Sequence, residues 1–82
     1  AEFLTAQMSW REALDEARLA HHQPSLVALR DEVTLARNQT LSQVADAIDT
    51  RNDFEAAAGL VGRLMYIDRF AEQVGDALDD LS

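Results

Sequence analysis

The sequence predicts an all-α fold, an antiparallel up-down-up three-helix bundle with helices at about residues 1–20, 24–48 and 53–81. Apolar residues recur at spacings of three and four in each segment, which is the period of an amphipathic helix. Two short polar connections, residues 21–24 and 49–52, separate the segments. Short connections favour antiparallel neighbours, and no alternating pattern typical of a strand interrupts the three segments.

The first segment has two apolar stripes, whereas a small helical domain needs only one. Each residue advances about 100° around a helix axis. One arc then collects residues suited to a core: Phe3, Trp10, Leu14 and Ala17. A second arc, roughly opposite, carries Leu4, Met8 and Leu19 among charged residues. On pattern alone Leu4 and Met8 fit either the edge of the core or an exposed contact surface.

The second helix follows the sequence His-His-Gln-Pro at residues 21–24. A residue before proline is biased away from the helical region, so Gln23 is predicted to be the break. Pro24 then suits the first turn of the next helix, where its missing N–H costs nothing. The helix is expected to end near Ile48. Its predicted core face consists of Leu26, Leu29, Val33, Ala36, Thr40, Val44 and Ala47.

The third helix is predicted to begin at a cap on Asn52, with Glu55 completing a capping box and Asp53 as the alternative cap. Its predicted seam consists of Phe54, Ala57, Val61, Leu64, Ile67, Ala71, Val74, Leu78 and Leu81. Gly59 and Gly62 lie off this seam. They either mark a close helix contact or are tolerated at about 1 kcal/mol each relative to Ala.

Met65 and Tyr66 also lie off the predicted seam. The first and third helices run parallel in an up-down-up bundle, which places Tyr66 about one or two turns from the level of Met8. Exposed apolar residues with a charged rim are typical of a protein-binding site. Arg11 and Glu12 would supply that rim and orient a partner.

The charge balance argues against nucleic acid and membrane partners. The net charge is −8, from 15 acidic residues and seven Arg with no Lys, whereas phosphates and anionic lipids need clustered cations. A partner with a basic patch would be steered towards the chain. An acidic mimic of nucleic acid is disfavoured, because the acids are spread around three helices. Neither a signal peptide nor a membrane-spanning run is evident, so a cytoplasmic location is expected.

No catalytic residue, metal site or cofactor is expected. The chain has no Cys, which removes thiolate catalysis and Cys-ligated metal sites. His21 and His22 are adjacent and therefore lack the i, i+4 spacing of a zinc-binding pair. The carboxylate pairs lie on polar faces, without an apolar pocket to raise a pKa. The chain is therefore not expected to be an enzyme.

Two stretches resemble the C-terminal domain of HscB, the J-type co-chaperone of iron–sulfur cluster assembly. Residues 3–17 read F-L-x-x-Q-M-x-W-R-E-A-L-D-E-A. In the third helix, A-A-A at residues 56–58 precedes V-x-x-L-M-Y-I-D-R-F at residues 61–70. The resemblance covers residues 1–82 as a single domain and is weakest in the second helix. An Ala- and Arg-rich composition without Lys is typical of a bacterial member.

This resemblance implies a three-helix domain that binds the cluster scaffold protein IscU. The J-domain and its His-Pro-Asp signature are absent from this chain, so the resemblance implies binding without stimulation of HscA, the DnaK-type chaperone. The partner-binding patch of the family maps here onto exposed Leu4, Met8 and Tyr66, with Arg11 and Glu12 beside them. Thr5 and Ser9 stand where relatives often have a larger apolar residue and a Glu, so we expect a secondary contribution from them. The alternative is a structural bundle that self-associates through the second stripe.

Overall fold

The protein consists of three long helices joined by two short turns. The computed structural model describes residues 2–81, in which α1 spans Glu2–Ala20, α2 spans Gln23–Asp49 and α3 spans Phe54–Leu81. The predicted helices agree with these bounds to within one residue, except that Ala1 lies outside the described residues. No strand occurs between residues 2 and 81. The prediction of an all-α three-helix fold is confirmed.

The direction of the helices follows from the contacts between α1 and α3. Phe3 near the start of α1 packs against Tyr66, and Trp10 two turns later packs against Phe70. Residue numbers therefore rise together along both helices, so α1 and α3 are parallel. Because each turn is only a few residues long, α2 runs antiparallel to both. This is the predicted up-down-up order.

The helices differ in length, and this sets where the core lies. α1 has 19 residues, whereas α2 has 27 and α3 has 28. At about 1.5 Å per residue, α1 covers roughly two-thirds of the α2–α3 pair. The part of the α2–α3 pair that α1 packs against is called the covered half below. The core cluster lies there and contains Trp10, Leu14, Ala17, Leu26, Leu29, Val33, Ile67, Phe70, Val74 and Ala77. The uncovered remainder, residues 44–61, is called the hairpin end below.

The first turn closes α1 with a left-handed residue. His21 has φ 50°, its N–H donates to the carbonyl of Arg18 at 3.2 Å, and the N–H of His22 donates to the carbonyl of Ala17 at 3.1 Å. These two bonds form a Schellman motif, which satisfies carbonyls that the helix end would leave free. The two histidines therefore have a structural role in this turn.

The break before α2 differs from the prediction. His22 is the N-cap, with extended backbone, and its Nδ1 accepts a hydrogen bond from the backbone N–H of Ser25 at 3.2 Å. Gln23 is already helical, so the prediction that it forms the break is wrong. Pro24 lies in the first turn of α2, where its missing N–H leaves no hydrogen bond unmade. The strong cap at His22 outweighs the bias that proline imposes on the preceding residue.

The second turn uses the alternative cap. Asn52 has φ 51°, whereas an N-cap residue adopts extended backbone. Asp53 is the cap, because its Oδ1 accepts a hydrogen bond from the N–H of Ala56 at 3.0 Å. The predicted capping box of Asn52 and Glu55 is therefore wrong. A left-handed Asn reverses the chain before α3, and the helix then begins one residue later than that motif requires.

The predicted core faces of α1 and α2 are confirmed. On α1, Trp10, Leu14 and Ala17 are buried, and Phe3 is half-buried against the cluster. On α2, five of the predicted residues are buried and the other two are half-buried. The buried five are Leu26, Leu29, Val33, Thr40 and Ala47. Each of these helices buries one stripe, as a simple amphipathic pattern predicts.

The predicted seam of α3 is confirmed at seven of its nine positions and is wrong at the other two. The seven are buried or half-buried: Ala57, Leu64, Ile67, Ala71, Val74, Leu78 and Leu81. Phe54 and Val61 belong to that seam but are exposed, at 67% and 41%. Phe70 and Ala77 lie off it but are buried, at 0% and 2% exposure. In the covered half α3 packs against α1 and α2 together, which buries more than one stripe. In the hairpin end only α2 is available.

The glycines of α3 do not mark a close contact between helices. A Cβ atom placed on Gly59 or Gly62 would meet nothing within 4 Å among the described residues. Both positions have negative φ, so no backbone conformation demands glycine there. The interpretation that they are tolerated is the one the structure supports.

Candidate partner-binding surface

Two large apolar side chains on α1 lie outside the core. Leu4 is 60% exposed and Met8 is 61% exposed. They lie on successive turns, on the side of α1 away from the core cluster. The sequence pattern allowed Leu4 and Met8 to lie either at the edge of the core or on an exposed surface. In the structure both side chains are exposed.

Arg11 connects this strip of α1 to α3. Its Nη1 donates a hydrogen bond to Oε1 of Gln73 at 2.7 Å, and its guanidinium lies 5.5 Å from the centroid of the Phe70 ring. Arg11 is about 60° around the helix from Met8 and about 20° from Leu4. Because Arg11 contacts α3, the exposed strip runs along the edge of α1 that borders α3.

Tyr66 forms the α3 side of the same region. Its ring packs edge-on against Phe3, with centroids 5.8 Å apart and planes at 86°. It also stacks on Phe70, with centroids 6.2 Å apart and planes at 12°. Tyr66 is therefore half-buried, so the expectation that it is exposed holds for only part of the side chain. These contacts fix the ring before any partner arrives.

Four aromatic rings pack in a row where α1 contacts α3. This row, called the aromatic column below, consists of Phe3, Tyr66, Phe70 and Trp10. The rings of Trp10 and Phe70 stack with centroids 5.6 Å apart. The guanidinium of Arg63 lies 5.1 Å from the centroid of Phe3, a favourable cation–π geometry. We call the side chains above this column the α1–α3 surface: Leu4, Met8, Arg11 and Tyr66.

The other predicted residues lie progressively farther from α3. Glu12 is exposed and about 40° around the helix from Met8, on the side away from α3. Thr5 and Ser9 are exposed as well, and helical geometry turns both still farther from Tyr66. On α1 the exposed strip therefore consists of Leu4, Met8 and Arg11, with Glu12 at its rim. Arg11 links this strip to α3, whereas helical geometry turns Thr5 and Ser9 away from Tyr66.

The sequence matches one protein family over almost its full length. The family, described as the HSCB C-terminal oligomerisation domain, matches residues 1–75. The chain belongs to the HscB C-terminal domain family. The resemblance found in the two sequence stretches is therefore confirmed.

Curated relatives carry the name co-chaperone protein HscB homolog. One from Azoarcus sp. (strain BH72) is 40% identical over 80 residues, which is 98% of this chain and 45% of the relative. One from Aromatoleum aromaticum is 38% identical over 79 residues, 96% of this chain and 45% of the relative. One from Bordetella avium is 40% identical over 72 residues, which is 88% of this chain and 42% of the relative. This HscB-family domain spans less than half the length of these relatives, and no solved structure shows a significant match to it.

Two arginines near Tyr66 were missed by the sequence analysis. Arg63 and Arg69 lie three residues before and three residues after Tyr66 on α3, and both are exposed. Residues three apart are neighbours on a helix surface, so a search one turn to either side of Tyr66 finds both. They extend the charged edge that Arg11 begins on α1.

Neither a metal-ligand cluster nor a membrane-spanning helix occurs among the described residues of this HscB-family domain. Between Glu2 and Leu81, no group of three or more His, Asp or Glu side chains could hold a metal ion. None of the three helices, over the same residues, is long and apolar enough to cross a membrane. The relatives are named as co-chaperones.

Proposed function

We propose that this domain docks the iron–sulfur cluster scaffold protein IscU through the α1–α3 surface. In the full-length co-chaperone, the J-domain would then present the bound scaffold to the DnaK-type chaperone HscA in the bacterial cytoplasm. Membership of the HscB family supports this proposal. The positions that the family resemblance assigns to scaffold binding coincide with the exposed strip on α1 and with Tyr66.

The observation that carries the proposal is the exposure of Leu4 and Met8 beside a complete core. The buried stripe of α1 already supplies the side chains that the core requires. Two exposed apolar residues on adjacent turns, at 60% and 61%, gain free energy only when another surface covers them. Apolar side chains with charged neighbours are typical of such a contact.

The mechanism is recognition by a largely preformed surface. Tyr66 is held between Phe3 and Phe70, so little side-chain entropy is lost when a partner covers it. Leu4 and Met8 would supply apolar area at the centre. Arg11 and Glu12 lie on opposite sides of the strip and would fix the orientation of the partner through charge complementarity.

Calorimetric titration with IscU tests the proposal. The double variant Leu4→Ala/Met8→Ala should bind at least about tenfold more weakly, because interface anchors cost about 1–2 kcal/mol or more when truncated. Leu35→Ala is a matched control, since Leu35 is 59% exposed and lies on α2. It should leave the dissociation constant within about twofold of wild type.

Two results of this titration would overturn the docking proposal. One is unchanged affinity in a double variant whose circular dichroism shows that it is folded. The other is an equal loss in the Leu35→Ala control, because that loss would not be specific to the α1–α3 surface.

Self-association through the same strip is a second candidate function. It is favoured by the description of the matched family as an oligomerisation domain and by the exposed Leu4 and Met8. Sedimentation analysis should then show a concentration-dependent dimer that the Leu4→Ala/Met8→Ala variant abolishes. A dimer that persists in this variant, or a monomer at all concentrations, would remove this candidate.

A further inference from the structure

Acidic residues are absent from two adjoining stretches beside the α1–α3 surface and occur at the borders of these stretches, for example at Glu2, Glu12 and Asp68. Residues 3–11 of α1 and residues 56–67 of α3 contain no Asp or Glu. The contacts of Phe3 with Tyr66 and Arg63 place these two stretches side by side. Glu12 borders the surface, and seven acids lie toward the other end of the bundle: Asp15, Glu16, Asp31, Glu32, Asp76, Asp79 and Asp80.

The arginines show the opposite distribution. Three ion pairs occur among the described residues, and they join Arg30 to Asp31, Arg37 to Asp68 and Arg51 to Asp46. The arginines at the α1–α3 surface take part in none of these pairs. Over residues 2–81, three arginines near Tyr66 therefore form no ion pair with a carboxylate: Arg11, Arg63 and Arg69.

Contacts with the aromatic column hold two of these cations in place. Arg63 lies over Phe3 at 5.1 Å and Arg11 lies over Phe70 at 5.5 Å. A guanidinium stacked on a ring keeps its N–H donors at its edge, where a carboxylate can accept two of them at once. The exposed guanidiniums of the surface are thus prepared to receive carboxylates from outside the chain.

We propose that the docking surface extends over Arg63 and Arg69 and takes an acidic protein segment. Carboxylates of this segment lie against the arginines of the surface, beside the apolar side chains that cover Leu4 and Met8. This inference rests on the proposed function, because it specifies the chemistry of the docked partner. It also assigns Arg63 and Arg69 to the binding site.

Local charge, and not the net charge, decides which partner fits this surface. The net charge of −8 by itself predicts attraction of a basic partner. The bundle is 45 Å long, whereas charges are screened over about 8–10 Å at physiological salt. Acids at the far end, such as Asp79 and Asp80, therefore contribute little at the level of Tyr66. The nearer acids are Glu2, Glu12, Asp68 and Glu72, of which Asp68 is paired with Arg37. The three arginines beside Tyr66 supply the positive charge that an acidic segment would meet.

The test is the rate of association between the whole chain and IscU, measured by stopped flow at low salt. Arg63→Glu and Arg69→Glu should each lower the association rate constant by about fivefold to tenfold and change the dissociation rate by less than about threefold, because charges at an interface rim act mainly on association. The difference from wild type should disappear at about 0.5 M NaCl, where screening shortens the range of the charges.

Arg30→Glu is the matched control, because it makes the same change of net charge. Arg30 is exposed and pairs with Asp31 toward the other end of the bundle. Its association rate should stay within about twofold of wild type, since it lies on α2 and outside the α1–α3 surface. Equal slowing in all three variants would show an effect of net charge and would overturn the inference.

The remaining outcomes separate this inference from the proposed function. In one outcome Leu4→Ala/Met8→Ala weakens binding, but Arg63→Glu and Arg69→Glu associate as fast as wild type. The docking proposal then holds, and the inference that the docked segment is acidic is overturned. Faster association of the two variants would point to a basic partner and would also overturn the inference. Absence of any binding by the wild-type chain would overturn the proposed function and this extension together.

Discussion

Two phenylalanines of α3 differ in burial. Phe54 opens α3 in the hairpin end and is 67% exposed, whereas Phe70 lies in the covered half and is completely buried. The helix is continuous between them, so backbone conformation does not account for the difference. The number of neighbouring helices does, because Phe70 faces both α1 and α2 while Phe54 has only α2 nearby.

Two leucines of α1 also differ in burial, and here the difference is between two faces of the helix and not between its two ends. Leu14 is completely buried, and Leu4 is 60% exposed. Both are leucines in regular helix, and only the direction of the side chain differs. A leucine or phenylalanine in this protein therefore stabilises the fold where two other helices meet it. Elsewhere it is available for contact with another molecule.

Replacing Phe70 should give the largest effect and would test this comparison most directly. Phe70→Ala should lower the free energy of unfolding by about 3–5 kcal/mol, because it removes a buried ring and leaves a cavity. Phe54→Ala should change it by less than about 0.5 kcal/mol, as expected for an exposed position. Urea unfolding followed by circular dichroism measures both. Similar losses in the two variants would show that the hairpin end is as well packed as the covered half.

The leucines of α1 should separate stability from binding. Leu14→Ala should lower the free energy of unfolding by about 2–5 kcal/mol, whereas Leu4→Ala should change it by less than about 0.5 kcal/mol. Only Leu4→Ala is then expected to weaken IscU binding in a domain of unchanged stability. A large loss of stability in Leu4→Ala would place this side chain in the core and would remove it from the α1–α3 surface.

The cap of α3 tests how much the hairpin end contributes to stability. Asp53→Ala should cost about 1 kcal/mol, because it removes the hydrogen bond from the N–H of Ala56 to Oδ1 of Asp53. Asp49→Ala makes the same change of charge on the other side of the turn and should not destabilise the domain, since an acid in the last turn of α2 opposes the helix dipole. Unchanged stability in Asp53→Ala would show that the hydrogen bond between Asp53 and Ala56 contributes nothing measurable.

A glycine in the hairpin end should give the smallest effect, with the opposite sign. Gly59→Ala should raise the free energy of unfolding by about 0.5–1 kcal/mol, because alanine has the higher helix propensity and its Cβ would meet no atom within 4 Å. The midpoint of urea unfolding measures the gain. A loss instead would reveal a close contact at Gly59, and with it a third element that packs on this end.

The predictable part of this protein is the part that a single periodic pattern controls. The positions of the helices and the core faces of α1 and α2 follow from apolar spacing, because each of those helices buries one stripe. The full core of α3 does not follow from apolar spacing, because the buried Phe70 lies off the predicted seam. Its burial requires α1 and α2 to meet on one side of α3, which no one-helix pattern contains.

The candidate site divides in the same way. Leu4 and Met8 are recognisable as a second stripe on one helix, and Tyr66 follows from the family resemblance. Helical spacing from Tyr66 points to Arg63, but the contact of Arg63 with the Phe3 ring depends on the approach of two helices. The partial burial of Tyr66 by Phe3 and Phe70 has the same origin. Each of these features combines residues that are far apart in sequence.

The sequence by itself determined the helices, the family and the exposed strip of α1, because spacing and motif are local properties of the chain. The tertiary structure decided the width of the core on α3, the partial burial of Tyr66 and the contact of Arg63 with Phe3. The physical reason is that burial and electrostatic fields depend on distances between helices. In this bundle those distances bring acid-free stretches of α1 and α3 together and leave the net charge of −8 concentrated elsewhere.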